Sequence, residues 1–125
     1  LSGQEEPAKA TIVRLRRRSE FLAAARGSRF NRPSFVLQAL PRREPERAES
    51  IGIGLTVTRK IGNAVVRNRA RRRLREALRL MLPGPARPAT DYVVVARPPA
   101  LTVPFTDLQT ELADAFGQAA RRRER

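Results

Sequence analysis

The chain has 125 residues, enough for one domain with a single modest core, and its 41% hydrophobic content is that of an ordinary globular protein. Its charge is not ordinary: 26 Lys and Arg face 12 Asp and Glu, a net +14, and a surplus of that size implies a polyanionic partner. With no Cys and no His, disulfides, thiolate nucleophiles, imidazole bases and the usual zinc ligand sets are excluded.

Lys9 and Lys60 are the only lysines, so nearly all the positive charge is arginine. Its planar fork grips phosphate with two bonds and stacks on bases, as an ammonium does not. A GC-rich coding bias is the alternative reason for arginine over lysine, but it does not explain the scarcity of acids. No apolar run approaches the ~18 residues needed to cross a membrane. Residues 1–10 lack a signal-peptide pattern, so a cytoplasmic location is expected. Residues 1–13 are expected to be a flexible or processed end.

In chain order, Ser19 is expected to cap a short helix through Phe21 and Leu22, with Gly27 as its stop. Arg14 and Arg16 to Arg18 form a basic lead-in. The turn residues of 27–33 predict a loop, and residues 35–40 a strand ended by Pro41. Residues 41–50 carry two prolines and mixed charge, which predicts a solvated connection. Residues 51–58 alternate most cleanly. Ile51, Ile53, Leu55 and Val57 form a core face. Gly52, Gly54, Thr56 and Thr58 form a small, polar one that leaves room for something to lie against the sheet.

Asn63 is a cap for a long helix through Leu82, stopped by Pro83-Gly84-Pro85. At ~100° per residue, Val66, Ala70, Leu74, Ala77, Leu78 and Met81 gather into one apolar stripe. Asn68, Arg72, Arg75 and Arg79 fall opposite, with Arg67 and Arg71 on one flank and Arg69 and Arg73 on the other. Residues 92–96 suit a buried strand, ended by Pro98-Pro99. Thr106 and Gln109 make a capping box for a last helix, in which Leu108, Leu112, Ala115 and Phe116 recur at helical spacing. The order α-β-β-α-β-α, with room for another short strand, predicts one α+β domain over residues 14–118 and a basic tail over 119–125.

Residues 59–75 hold eight basic residues and no acid. Arg67, Arg71 and Arg75 sit four apart with like charge, which costs a helix ~0.2–0.5 kcal/mol per pair. Several arginines also crowd its first turns, where the helix dipole disfavours cations. A row of phosphates relieves both. A DNA major-groove reader needs a supporting second helix and usually dimer symmetry. An open sheet face edged by arginines suits RNA and single strands better. Asp91, Asp107, Glu111 and Asp114 hold Mg2+ only if they converge, and the last three also suit a plain solvated helix face. No catalytic residue is therefore assigned to the protein, and catalysis is expected to come from the partner.

The run KIGNAVVRNRARRRLRE at residues 60–76 resembles the signature of the bacterial ribonuclease P protein subunit family, Arg67-Asn68-Arg69 following Gly62-Asn63-Ala64-Val65. Arg14-Leu15 with Phe21, Phe35-Val36-Leu37, and residues 53–60 and 91–97 are similar to the family's flanking elements, so the resemblance runs from about residue 14 to 116. It implies three helices on a central, mostly antiparallel sheet of about four strands, similar to the second domain of ribosomal protein S5. It also implies a left-handed βαβ crossover, against the usual rule. It further implies that a catalytic RNA subunit hydrolyses the phosphodiester that releases the 5′ leader of precursor tRNA. Mg2+ would be held mainly by that RNA and its interface with substrate. The protein would lower the Mg2+ requirement, one copy per RNA, with no DNA and no membrane involved.

By the same resemblance, Arg59, Lys60, Asn63, Arg67, Asn68, Arg69, Arg72 and Arg73 bind the catalytic RNA. Phe21, Val36, Gln38, Thr56 and Thr58 line a leader cleft between the first helix and the sheet. Phe21 also reads as simple core. Ala25 stands where a second aromatic often occurs and Gln38 where a tyrosine can, which leaves Phe30 as a substitute stacking group. Two other functions compete: a ribosomal or assembly protein that braces RNA, and a basic amphipathic helix on acidic membrane. The first has no reason to carry the Gly-Asn-Ala-Val-x-Arg-Asn-Arg run. The second needs bulky apolar residues exposed beside the arginines, whereas Val66, Leu74 and Leu78 are needed inside.

Overall fold

In the computed structural model, which describes residues 11–123, a single sheet has the strand order β1-β4-β5-β3-β2. The strands are β1 (Thr11–Arg14), β2 (Ser28–Asn31), β3 (Phe35–Pro41), β4 (Ser50–Thr56) and β5 (Thr90–Ala96). The helices are α1 (Arg18–Ala24), α2 (Ala64–Met81) and α3 (Phe105–Arg123), with short 3-10 turns at Pro45–Arg47 and Pro98–Leu101. The α+β class with three helices is as expected. The sheet has five strands rather than about four, and it is mixed: β1 and β5 run parallel to β4, while β3 is antiparallel to β5 and to β2.

The two unexpected strands are the four-residue edges. All four residues of β1 are exposed, so no burial alternation marks it, and Thr11 to Val13 join the sheet instead of a flexible segment. In β2 only Phe30 turns inward, too little to distinguish a strand from the loop expected at 27–33. Three termini also differ. α1 is capped at Arg17 rather than Ser19, because Glu20 reaches back to accept from the backbone N–H groups of Arg16 (3.1 Å) and Arg17 (3.0 Å). α3 begins at Phe105, where Asp107 N–H donates to the Pro104 carbonyl; Thr106 is inside the helix. Its far end runs to Arg123 with Ala119 and Ala120 buried, so the expected tail is largely helix. The expected flexible segment up to residue 10 and the last two residues lie outside the described residues.

Strands β2 to β5 turn one side to α2 and α3, where the main core forms. Phe35, Leu37, Ile51, Tyr92 and Val94 meet Leu74 and Leu78 of α2 and Leu108, Leu112 and Phe116 of α3. Each such side chain contributes on the order of 1.5–3 kcal/mol on burial. Polar ties fix α3 to the β2–β3 turn. Ser34 donates from N and Oγ to Glu111 (3.0 and 2.9 Å), and Arg32 donates to Asp114 (3.0 Å) and Gln118 (2.7 Å). On the opposite side a smaller cluster of Leu15, Ala24 and Val93, with Phe21 and Val95, seats α1.

Candidate nucleic-acid interface

The loop between β4 and α2 is shaped by its glycine and asparagine. Gly62 has φ +151°, and a Cβ there would stand 2.9 Å from Val66 Cγ1; only glycine fits. Asn63 then caps α2, its Oδ1 accepting from Val66 N–H at 3.0 Å. The Gly-Asn-Ala-Val sequence is thus the mechanical start of the helix. Asn63 serves first as a cap, and the exposed Arg59 and Lys60 stand in the turn just before it.

Along α2, Ala70, Leu74, Ala77 and Leu78 are buried and Val66 and Met81 partly so, the expected stripe. Arg69, Arg72 and Arg75 are exposed, while Arg67, Arg71 and Arg73 are half-buried at the flanks. Arg71 donates to Asn68 Oδ1 at 3.0 Å, so that amide carbonyl already has a partner. Arg73 donates to the Val103 carbonyl and fastens α2 to the segment leading into α3. The Nε atoms of Arg67 and Arg73 are buried without a hydrogen-bond partner. One acid lies on the helix, Glu76, and it pairs with Arg79 at 2.6 Å. Among the described residues, none of Arg67, Arg69, Arg71, Arg72, Arg73 and Arg75 pairs with a carboxylate.

The α1 side of the sheet is laid out by strand register. Thr56 pairs with Val95, Val95 with Val36, and Val36 with Asn31; Gly54, Val93, Gln38 and Arg29 form the next row. Phe21, Val36, Gln38 and Thr56 therefore share one face. Thr58 is exposed and lies beyond the end of β4. Val36 and Gln38 are each only 8% exposed. Phe21 lies across Gly54, where an added Cβ would come within 2.7 Å of its ring, and it packs on Leu15 and Val93 while keeping part of its surface in solvent. Phe30 cannot replace a missing aromatic here. It is 3% exposed on the other face, paired with Leu37 in the main core. Arg29 and Asn31 do reach the α1 face and are exposed. Sequence reasoning missed them because β2 reads as loop.

Beneath α1 runs an ionic chain. Arg47 donates to Oδ1 of the wholly buried Asp91 and lies 4.0 Å from Glu20, while Arg42 lies 4.0 Å from the other Asp91 oxygen and pairs with Glu44 at 2.8 Å. Burial pushes the Asp91 carboxyl up from its ordinary range, against the pull of Arg47. Hydrogen bonds from Arg17 and Arg16 hold Glu20 below its ordinary value, with Arg47 assisting. Three of the four acids that would have to converge on Mg2+ are otherwise engaged: Asp91 with Arg47, Glu111 with Ser34, Asp114 with Arg32. Among the described residues no three acidic side chains gather to hold a metal ion. No helix among the described residues is long and apolar enough to cross a membrane.

Fold and surface together define a class: a small α+β domain with an unneutralised arginine helix on one layer and a small-side-chain sheet face on the other. Comparison with known proteins makes the class particular. The ribonuclease P family model matches residues 10–120. The ribonuclease P protein component of Brucella suis is 44% identical over 120 residues, covering 92% of this chain and 85% of that protein. That of Ruegeria pomeroyi is 48% identical over 110 residues, covering 87% of each. Among solved structures, the Staphylococcus aureus RNase P protein superposes with TM-score 0.69 at 25% identity, over 85% of this chain and 94% of that one. The Thermotoga maritima protein gives TM-score 0.69 at 26% identity, over 84% and 96%. The chain belongs to the ribonuclease P protein family.

Proposed function

We propose that this chain is the protein subunit of a ribonucleoprotein that removes the 5′ leader of precursor tRNA, with the phosphodiester hydrolysed by the RNA subunit and its Mg2+. The exposed arginines of α2, with Arg59 and Lys60 at its N-terminus, dock on that RNA. The observation that carries the reading is the set of six arginines on α2 that have no carboxylate partner among the described residues. A folded domain keeps such a surface at a cost in self-repulsion, and a phosphate backbone relieves it.

The α1 face of the sheet is suited to the leader. Its Thr56 lets a strand approach closely, Phe21, seated over Gly54, offers a ring for one unstacked base, and Gln38, Arg29 and Asn31 offer hydrogen bonds. With fewer aromatics than the family pattern, polar contacts carry more of the leader's grip. The guanidinium charge also takes on part of the counterion load that free Mg2+ would otherwise carry around the folded RNA, which lowers the Mg2+ requirement.

Reconstitution with the cognate catalytic RNA at low Mg2+ tests the reading. Adding the protein is expected to accelerate leader removal from precursor tRNA, and the gain should shrink as Mg2+ is raised. Absence of stimulation across a range of salt and Mg2+ contradicts it.

A further inference from the structure

Strand β1 ends at Arg14, opposite Ile53, whereas β4 continues to Thr56. Past that end the sheet edge opens into a groove of about 640 Å³ between β1 and α2 that reaches round the edge to Leu15, Phe21 and Gly54, within the ~300–1,000 Å³ range of small-ligand sites. Register sets Ile12 opposite Ile51 and Arg14 opposite Ile53, so both lie on the α2 side, and Ile12 is 43% exposed. Ile53 and Leu55 are recessed at the floor. The far wall is Arg71, Arg75 and Arg79, one helical turn apart. Arg71 and Arg75 have no carboxylate partner among the described residues.

An apolar floor inside a guanidinium rim suits a ligand with a flat, weakly hydrated body on an anionic backbone. Duplex RNA keeps its bases inside, so it reaches only the rim. A lipid surface needs apolar groups standing proud of the cations, the reverse of this arrangement. We infer that the groove receives one unpaired nucleotide of the catalytic RNA, its base on Ile12, Ile53 and Leu55 and its flanking phosphates on Arg71 and Arg75. This rests on the docking of α2 proposed above. The source is that RNA rather than the leader, because the guanidinium wall is α2 itself, while of the leader-facing residues Phe21 and Gly54 reach the groove and Val36, Gln38, Thr56 and Thr58 do not.

The experiment is 2′-hydroxyl acylation mapping of the catalytic RNA and precursor tRNA with full-length protein, comparing wild type with Ile12→Asp and Arg75→Gln. The two variants alter opposite walls, so misfolding of the β1 edge in one does not explain a shared result. Both are expected to unmask the same one or two unpaired nucleotides of the catalytic RNA, and Ile12→Asp, which removes no α2 charge, to do so with the α2-dependent footprint in place. Ile12→Asp should weaken that complex about tenfold, within the range for losing one base contact. Unchanged footprints in both variants, or unmasking of unrelated nucleotides, overturn the groove while leaving the docking of α2 intact. Unmasking confined to the leader overturns the assignment to the catalytic RNA. A wild-type protein that protects no nucleotide at all overturns the docking and the groove together.

Discussion

Arg47 donates into Oδ1 of Asp91, a carboxylate with no exposed surface at all. The pair joins the 3-10 turn Pro45–Arg47 to β5 directly beneath α1, and Glu20 of α1 lies 4.0 Å from the same guanidinium. Helix α1 is only seven residues long, below the length at which an isolated helix holds itself together. Its placement depends on this chain of charges and on the small cluster around Leu15.

Removing Arg47 strands a buried carboxylate, a loss of about 3 kcal/mol. Arg47→Met should show that loss in chemical denaturation at neutral pH, and Arg47→Met/Asp91→Asn should recover part of it. The pH dependence has a definite sign. The folded pKa of Asp91 is raised, so its contribution is intact below the unfolded value of ~3.9 and is lost as pH rises through the folded value. Without Arg47 that pKa climbs further, so the variant's deficit should be small near pH 3.5 and full at pH 7. A deficit constant with pH would exclude the Asp91 linkage.

Glu20 behaves in the opposite sense. Its pKa is lowered, first by the Arg17 backbone N–H, so its stabilisation is present above the ordinary value of 4.5 and is lost as pH falls through the folded value. Glu20→Gln should therefore be less stable than wild type at pH 7, by about 1 kcal/mol for the weakened cap. The two proteins should converge as the pH falls through that folded value. A gap that persists in acid would show that packing, not the cap charge, is responsible.

The α2 arginines separate into two groups. Arg69→Ala and Arg72→Ala remove exposed, carboxylate-free charges, and each should lower RNA affinity and flatten its salt dependence by about 0.7–0.9 of a counterion, with the thermal midpoint unchanged. Arg73→Ala should instead lower stability by about 1 kcal/mol, through the lost bond to the Val103 carbonyl. Identical profiles for Arg72→Ala and Arg73→Ala would show that this distinction is not real.

Phe21 can be tested with and without removing it. Phe21→Ala should weaken precursor tRNA binding more than mature tRNA binding, because only the precursor has a leader. Gly54→Ala leaves the ring in the protein but pushes a methyl within 2.7 Å of it, so the ring must shift. The same selective loss is expected. Equal losses on precursor and mature tRNA would place Phe21 in the core alone.

Much of this was legible in the sequence where one physical signal dominated. The 3.6-residue stripe from Val66 to Met81, the Asn63 cap and the alternation of Ile51 to Val57 all reappear in the structure. The misses lie where tertiary context decides. β1 is held by pairing with β4 and buries no side chain of its own, and β2 pairs with β3 with Phe30 alone turned inward. Ser19 lost the cap because Glu20 supplied a carboxylate from inside the helix. Phe30 read as a spare cleft aromatic until the register with Leu37 placed it on the other face. The surface charge of α2 was the most readable feature of all, since a helix with one side committed to the core leaves its arginines nowhere else to go.

The most direct test is the salt dependence of binding to the catalytic RNA, measured for wild type and for Arg67→Gln/Arg69→Gln/Arg72→Gln. The expected result is a shallower log–log slope in the triple variant, by about two to three counterions, at unchanged thermal stability. An unchanged slope with equal affinity would mean that the α2 surface does not meet the RNA, and the proposed docking would be wrong.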